Sequence, residues 1–276
     1  LALNLSWMLK PELFGFPDKG VAVRASFVSV AVWWIIFTIP LMRRVQEPPV
    51  VRFNGEQGQN PIAVGFKRLF TTFKQIRRFK QVLIFLIAFW FFTDAIGTII
   101  KMATIYGAEI GIGEGHLIGA LLFVQLLGIP CTFAFGLIAD RIGAKAAVML
   151  TLVVYTGTCV LGYFMTTPLH FWCLAALVAL VQGASQALSR SLYSTIIPLS
   201  KASEFFGFIS VSSRFAGILG PILFGVCSQI SGGSRISILL LITFFVIGMV
   251  GLAKVDVEEG RRVAAEAERE LAANKI

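Results

Sequence analysis

The sequence is poor in charged residues. Only 14% of its 276 residues are Asp, Glu, Lys or Arg, whereas 57% are apolar. Soluble domains carry about 25% charged and about 45–50% apolar residues. A protein with roughly half the usual charge and this excess of apolar side chains does not have an exterior that faces water on all sides. The composition indicates a protein whose exterior faces lipid.

Residues that bind metals or act as nucleophiles are also few. The two histidines, His116 and His170, lie in separate loops without a neighbouring cluster of Asp, Glu or Cys. The cysteines show neither paired nor metal-ligand spacing, and we interpret them as small buried hydrophobic residues. The sequence therefore predicts that the protein is not an enzyme and has no metal or cofactor site. The four cysteines lie in separate apolar segments: Cys131, Cys159, Cys173 and Cys227.

Long apolar runs are what the sequence has in abundance. A helix of about 20 residues crosses the roughly 30 Å hydrocarbon core of a bilayer. Within lipid, backbone polar groups are paired only in helices or closed barrels, and continuous runs without strict alternation exclude a barrel. The sequence therefore predicts an all-α, polytopic membrane helix bundle. Seven stretches are long enough to cross: 21–42, 82–106, 117–139, 146–165, 171–189, 205–230 and 236–253.

Basic residues are distributed unevenly between the loops. If the spans alternate in direction, one set of loops carries 18 Lys and Arg residues and the other set carries 4. Loops rich in Lys and Arg stay on the cytoplasmic side, so the C-terminus is predicted to be cytoplasmic. A net charge of +9 would raise the question of nucleic acid in a soluble domain. Here the distribution favours the lipid bilayer as the partner, and no nucleic acid.

Loop lengths divide the chain into four regions. The first is the end of one membrane bundle, in which residues 1–9 are interpreted as the tail of a helix whose beginning is missing. The second is a cytoplasmic linker whose apolar residues recur at helical spacing among basic ones, which predicts an amphipathic helix on the membrane surface. The third is a six-helix membrane bundle, and the fourth is a cytoplasmic tail with a solvated helix. The bounds are 1–42, 43–81, 82–253 and 254–276.

Three ionisable side chains lie inside predicted spans. Such a charge costs at least about 2.5–3.5 kcal/mol, which makes a functional role the first hypothesis. Asp94 lies near the midplane and is a candidate for proton uptake and release, or for a structural bond to a neighbouring helix. Lys101 shares its helix face and either contacts a solute or extends to the membrane surface. Arg214 either holds a solute carboxylate or pairs with Asp94.

Uncharged polar residues in the spans are further candidates for the solute pathway. Gln182 and Gln186 lie four residues apart on one helix face, and Gln125 lies in another span. Such residues either line a pore or form hydrogen bonds between helices. The pair Gly220-Pro221 combines a small residue with a helix breaker, which predicts a kink in that span.

The turn after the stretch 117–139 contains Gly136, Asp140, Arg141, Gly143 and Lys145. The spacing of these residues resembles the G-x-x-x-D-R-x-G-x-K/R loop of the major facilitator superfamily. We expect Asp140 to cap the helix that opens near Gly143, and the basic residues to keep the turn on the cytoplasmic side. The resemblance implies that Asp140, Arg141 and Lys145 act as a cytoplasmic latch that breaks when the inner gate opens.

Within this superfamily, the segments 186–193, 197–198 and 204–208 resemble the vacuole-effluxer branch, which is linked to amino-acid export from the fungal vacuole. The resemblance implies that residues 82–253 are the C-terminal half of the transporter, helices seven to twelve. Residues 21–42 would then be helix six. On this interpretation the chain is a fragment that lacks roughly the first five helices.

The same resemblance implies a monomeric secondary transporter in the bacterial inner membrane, in which two bundles rock about a midplane site. The expected cargo is a small polar solute such as an amino acid, either exported or, alternatively, taken up together with protons. A seven-span receptor is the other alternative. It is disfavoured by the stub at residues 1–9 and by the 39-residue loop at 43–81.

Overall fold

A computed structural model describes residues 2–45 and 78–273 of the chain. All regular elements in these two ranges are helices, and none is a β-strand. The predicted amphipathic helix of the linker lies outside the described residues. The described residues form two compact units, the first within residues 2–45 and the second within residues 78–273.

The first unit contains two helices joined by a short turn. The longer helix is capped at its N-terminus by Asp18, whose carboxylate accepts a hydrogen bond of 2.8 Å from the backbone N–H of Val21. The Ser29 hydroxyl donates to the side-chain oxygen of Asn4 at 3.0 Å, which links the two helices. The elements are α1 (Ala2–Leu9), a 3-10 turn (Pro11–Phe14) and α2 (Lys19–Arg44).

The second unit contains eight α-helices within residues 78–273. They are α3 (Lys80–Glu109), α4 (Glu114–Ile142), α5 (Ala144–Tyr163), α6 (Pro168–Thr195), α7 (Ala202–Phe215), α8 (Leu219–Ser231), α9 (Ser234–Ala253) and α10 (Val257–Ala273). Seven described segments are long and apolar enough to cross a membrane, with α7 and α8 together forming one of them, Leu199–Ser231. The prediction of an all-α, polytopic bundle is confirmed, and the chain is an integral membrane protein.

Helix α3 lies at the centre of the second unit. It packs against α7, α8 and α9, while α4 packs on α6, and α5 contacts both α6 and α9. The core between these helices is aromatic: the rings of Tyr155 and Phe245 stack with centroids 5.5 Å apart, and Phe85 is fully buried. Glycine allows α9 to approach α3 closely, because a Cβ at Gly251 would lie 2.8 Å from the Cβ of Ala88.

The tail helix α10 is docked on this bundle. Ala264 and Ala267 on one face of the helix are each only 6% exposed, and Val255 just before it is 1% exposed. A Cβ at Gly260 would lie 2.8 Å from Cγ2 of Ile196, which shows how closely the helix approaches the end of α6. The tail was predicted to be a solvated helix, and this is correct for its charged face, where Arg261, Arg262 and Glu266 are exposed, but wrong for its alanine face, which is buried.

Polar contacts fix the position of α10. The Glu268 carboxylate accepts hydrogen bonds from the backbone N–H and the hydroxyl of Ser200, at 3.1 and 2.8 Å. Arg78 donates twice to Glu270, at 2.6 and 2.8 Å, and this hydrogen bonding holds the pKa of the Glu270 carboxyl below its usual value. Exposed ion pairs contribute little to stability. The buried alanine face and the Glu268 contact therefore hold the helix more firmly than the ion pair does.

The four cysteines are all free thiols with different environments. Cys159 is buried, Cys131 and Cys227 are half-buried, and Cys173 is exposed. The interpretation as small buried residues is confirmed for Cys159 and is wrong for Cys173, which lies on the surface of its helix.

Candidate functional site

The span Leu199–Ser231 is broken near its middle. Helix α7 ends at Phe215, and α8 begins at Leu219. Pro221 has no N–H to donate, and its ring clashes with the carbonyl four residues earlier, which belongs to Gly217. The helical hydrogen bonds resume with the N–H of Ile222, which donates to the carbonyl of Ile218 at 3.3 Å. The break therefore precedes the proline by a turn and leaves the Gly217 carbonyl without its helical donor.

Two charged side chains of α3 bind the two sides of this break. The Lys101 ammonium donates to the carbonyl of Gly217 at 3.1 Å. The Asp94 carboxylate accepts a hydrogen bond of 2.8 Å from the backbone N–H of Gly220 through Oδ2. An unbroken helix would have paired the Gly220 N–H internally, whereas the Gly217 carbonyl lacks a helical donor because residue 221 is proline.

The surroundings of Asp94 are closely packed. Its side chain is 1% exposed, and its Oδ1 atom is buried without a hydrogen-bond partner. The hydroxyl of Thr98, which is fully buried, donates to the backbone carbonyl of Asp94 at 2.7 Å. A Cβ at Gly220 would overlap this hydroxyl and would lie 3.0 Å from Oδ1 of Asp94. Only glycine fits at this crossing of α3 and α8.

Arg214 does not pair with Asp94. It lies in the last turn of α7 with its side chain exposed, and the carboxylate of Asp94 is bonded to Gly220 instead. Of the two roles predicted for Arg214, contact with a solute carboxylate stays a prediction.

The three glutamines line a polar cavity of about 220 Å³ between α4 and α6. Gln125 and Gln186 are exposed, and Gln182 is half-buried. The hydroxyl of Thr132 donates to the carbonyl of Gly128 at 2.7 Å, which leaves the oxygen's lone pairs to accept. The full lining is Val124, Gln125, Gly128, Ile129, Thr132, Gln182, Gly183 and Gln186.

A second cavity of about 120 Å³ lies inside the bundle and is almost entirely apolar. Its walls include Ile99, Cys159 and Phe224, contributed by α3, α5 and α8. Two residues, Val124 and Gln182, line both cavities. The Gln182 side chain therefore lies at the junction of a polar and an apolar chamber.

Some residues that line these cavities were not predicted from the sequence as site residues. Thr132 lies seven residues after Gln125, and this helical spacing was a usable signal for a shared face. Gly183 adjoins Gln182, and a small residue in a span is typical of close helix packing. No pattern in the sequence indicates the apolar chamber, because the residues that line it resemble any other apolar residues of a membrane-spanning helix.

The turn between α4 and α5 is built on Gly143. Its φ of 85° lies in the left-handed region that favours glycine. The prediction that Asp140 caps α5 is wrong: Gly143 occupies the cap position, no side chain bonds there, and Asp140 is exposed. Lys145 donates to the carbonyls of Ala253 and Val255, at 2.9 and 2.7 Å, so it caps the C-terminal end of α9.

Comparison with known proteins identifies the family. The family described as "Vacuole effluxer Atg22 like" matches residues 3–265. The chain belongs to this family. An uncharacterized MFS-type transporter of Bacillus subtilis, YxiO, is 40% identical over 245 residues, which cover 89% of this chain and 56% of that protein. Autophagy-related protein 22 is 26% identical in Yarrowia lipolytica and 27% identical in Saccharomyces cerevisiae, and each alignment covers 88% of this chain.

This Atg22-like chain spans about half the length of the curated relatives it matches, between 46% and 56% of the three proteins named. The resemblance to the major facilitator superfamily and its vacuole-effluxer branch is confirmed by these matches. The cavities and the broken span all lie within the matched residues, 3–265.

The hydrogen bonds of Lys145 predict that this side chain contributes to the free energy of unfolding of this Atg22-like chain. Replacing it with methionine (Lys145→Met) keeps the length of the side chain but removes two charge-assisted hydrogen bonds to the end of α9. We expect a loss of about 1–2 kcal/mol, measured as a melting temperature lower by a few degrees in detergent. Lys254, an exposed lysine at the same end of α9, is the matched control, and Lys254→Met should change little. Equal shifts in the two variants would contradict the capping role.

Proposed function

We propose that this chain provides the C-terminal half of a secondary transporter that moves a small solute by alternating access. The observation that carries the proposal is the junction at Gln182, where the polar and apolar chambers meet. In superfamilies of this kind, two bundles rock about a site near the bilayer midplane. The names of the relatives, an effluxer family and an MFS-type transporter, support this function.

The chemistry of the chambers favours a cargo with a polar and an apolar part. Glutamine amides donate and accept hydrogen bonds without a net charge, which suits the head group of an amino acid. The amides of Gln125, Gln182 and Gln186 would hold this group, and the adjoining apolar cavity of about 120 Å³ would receive a compact side chain. We therefore propose an amino acid with an apolar side chain as the cargo.

The remaining features of the transporter follow from the predicted topology. We propose a monomer in the bacterial inner membrane with its C-terminus in the cytoplasm, which would place the docked helix α10 on the cytoplasmic side. Asp140, Arg141 and Lys145 would then lie on that same side. Because Lys145 caps α9, we propose that it anchors the turn, while the exposed Asp140 and Arg141 provide the latch. Export and proton-coupled uptake are the two modes of transport that an experiment must distinguish.

The test is transport by the complete protein that contains this chain, reconstituted in lipid vesicles. We expect uptake of radiolabelled leucine that saturates, with weaker uptake of glycine because it lacks an apolar side chain. Imposing a pH gradient in each direction distinguishes proton-coupled uptake from uncoupled export. A failure to move any of the twenty amino acids would contradict the proposed cargo.

A substitution of Gln182 tests its proposed role in binding the solute. Gln182→Ala removes the amide at the junction of the chambers, and the loss of one or two hydrogen bonds at about 0.5–1.5 kcal/mol each corresponds to a KM for leucine about tenfold higher. Gln229, an exposed glutamine near the end of α8, is the matched control. Gln229→Ala should leave the KM unchanged. Identical KM values in the two variants would remove Gln182 from the site.

A further inference from the structure

We propose that Asp94 and Lys101 act as a matched pair of positioning residues that hold the broken span in its bent form. Each bonds to one open end of the break: Lys101 to the carbonyl of Gly217, and Asp94 to the N–H of Gly220. The role of this pair in turnover presupposes the proposed transport function, whereas its role in the shape of the span does not.

The signs of the two charges fit the ends that they bind. The C-terminal end of a helix carries partial negative charge, and its N-terminal end carries partial positive charge. The ammonium of Lys101 lies at the carbonyl just after α7, and the carboxylate of Asp94 lies at the first turn of α8. The reverse arrangement would place like charges together at both ends. The Asp94 bond therefore stabilises the break specifically, because a continuous helix would pair the Gly220 N–H with the carbonyl of Ala216. The Lys101 bond satisfies the Gly217 carbonyl, which Pro221 leaves without a helical donor.

The spacing on α3 also fits this role. Asp94 and Lys101 lie seven residues apart, so both project from one face of α3. The distance between them along the axis is about 10 Å at 1.5 Å per residue. A span that straightened would return the Gly220 N–H to the carbonyl of Ala216 and would separate it from Asp94, whereas the Gly217 carbonyl would still lack a helical donor because Pro221 has no N–H. The Asp94 bond therefore favours the bent form over the straight form, and the Lys101 bond satisfies the carbonyl that the proline leaves open.

The two bonds differ in how easily they break. Lys101 is exposed, so its ammonium can leave Gly217 for water or lipid head groups at little cost. Asp94 is buried, and one of its two oxygens has no partner, so losing the Gly220 bond would leave a buried carboxylate unsatisfied. The bond of Asp94 to Gly220 is therefore the more persistent of the two, and the bond of Lys101 to Gly217 is the one that breaks more easily.

Neither residue belongs to the solute chambers. Both cavities are lined without Asp94 and Lys101. Substituting them should therefore change the maximal rate of transport and leave the KM for solute nearly unchanged. A residue that binds the solute would change the KM instead.

The experiment uses the complete protein in lipid vesicles and four substitutions. Asp94→Asn keeps an oxygen that accepts the Gly220 N–H, whereas Asp94→Ala removes it. Lys101→Met keeps the length of the side chain without its charge, and Lys80→Met replaces an exposed lysine of the same helix as control. We expect Asp94→Ala to lower the maximal rate of leucine uptake at least tenfold with a KM within twofold, and Asp94→Asn to retain most of the rate. Lys101→Met should lie between them, and Lys80→Met should match the unsubstituted protein.

A distance measurement tests the bent form without any transport. Spin labels at Val211→Cys on α7 and Val226→Cys on α8, both exposed positions, report the angle across the break in a background without native cysteines. We expect a single short distance in the unsubstituted protein and in Asp94→Asn, and a longer or broader distribution in Asp94→Ala. If no amino acid is transported, this readout still tests the pair.

Two results would overturn the proposal. One is an unchanged distance distribution in both Asp94→Ala and Lys101→Met, which would mean that the bend does not depend on the pair. The other is a loss of transport in Asp94→Asn as large as that in Asp94→Ala together with an unchanged distance distribution in both variants, which would mean that Asp94 acts on transport without holding the bend, for example by carrying a proton. Because Lys101 is exposed, Lys101→Met is expected to fold even if Asp94→Ala does not.

Discussion

Gly220→Ala is expected to remove most of the transport activity of the complete protein, by tenfold or more. The new Cβ would overlap the hydroxyl of Thr98 and would lie 3.0 Å from Oδ1 and 3.2 Å from Cγ of Asp94. Thr98 is fully buried and its hydroxyl is held by a hydrogen bond of 2.7 Å, so moving the hydroxyl aside breaks that bond inside the packed core. Helix α8 must shift, which breaks the bond between Gly220 and Asp94 and costs about 1–3 kcal/mol from overpacking alone.

A matched control lies one and a half turns further along the same helix. A Cβ at Gly225 would meet nothing within 4 Å, so Gly225→Ala should retain full activity and gain helix propensity of about 1 kcal/mol. The double substitution of Gly220→Ala with Thr98→Ala removes the overlapping oxygen and should recover part of the loss. Leucine uptake and the melting temperature are measured for all three variants. Normal activity in Gly220→Ala would show that α8 does not need this close approach.

Gly183→Ala is the second substitution for which we expect a large effect, because it forces apart the two helices of the polar chamber. Its Cβ would overlap the hydroxyl of Thr132 on α4 and would lie 3.2 and 3.4 Å from the Cβ and Cγ2 of the same residue. Rotating Thr132 would break its hydrogen bond of 2.7 Å to the Gly128 carbonyl and would leave its Cβ 3.2 Å from the new Cβ. The helices must therefore separate at Gln182 and Gln125, which line the chamber on either side.

We expect the KM of Gly183→Ala for leucine to increase at least tenfold, together with a lower melting temperature. Gly157 on α5 is the control, because a Cβ there would meet nothing within 4 Å, and Gly157→Ala should be neutral or slightly stabilising. Adding Thr132→Ala to Gly183→Ala should restore most of the fold stability. A KM equal to that of Gly157→Ala would show that the chamber does not bind the solute.

The membrane spans were predictable from the sequence because the thickness of a bilayer sets their length. The predicted stretch 82–106 became α3 (Lys80–Glu109), and 236–253 became α9 (Ser234–Ala253). The charged residues at the ends extend each helix by a turn or less beyond the apolar run. For the stretch 205–230, the sequence indicated a kink at the proline, but the break lies at 216–218. The proline disrupts the carbonyl four residues earlier, so the break precedes it.

The partners of the charged residues were not predictable. Asp94 and Lys101 were predicted as site residues because a charge in hydrocarbon costs free energy. The partner of Asp94, however, is a backbone N–H on α8, and a sequence does not indicate which backbone group a side chain will bind. Lys145 was likewise found in a turn motif, whereas its contacts are the carbonyls at the end of α9. Both cases depend on which helices are neighbours, and this is decided by the packing of the whole bundle.

The solute pathway is tested most directly by labelling Gln186→Cys in the complete protein. The four native cysteines are replaced first, and a membrane-impermeant maleimide is then added from one side of the membrane at a time. If the chamber between α4 and α6 carries the solute, the thiol reacts from both sides, and saturating leucine slows both reactions at least several-fold, while Gln229→Cys is unaffected by leucine. Reaction from one side only, at a rate independent of leucine, would contradict an alternating-access pathway through this chamber.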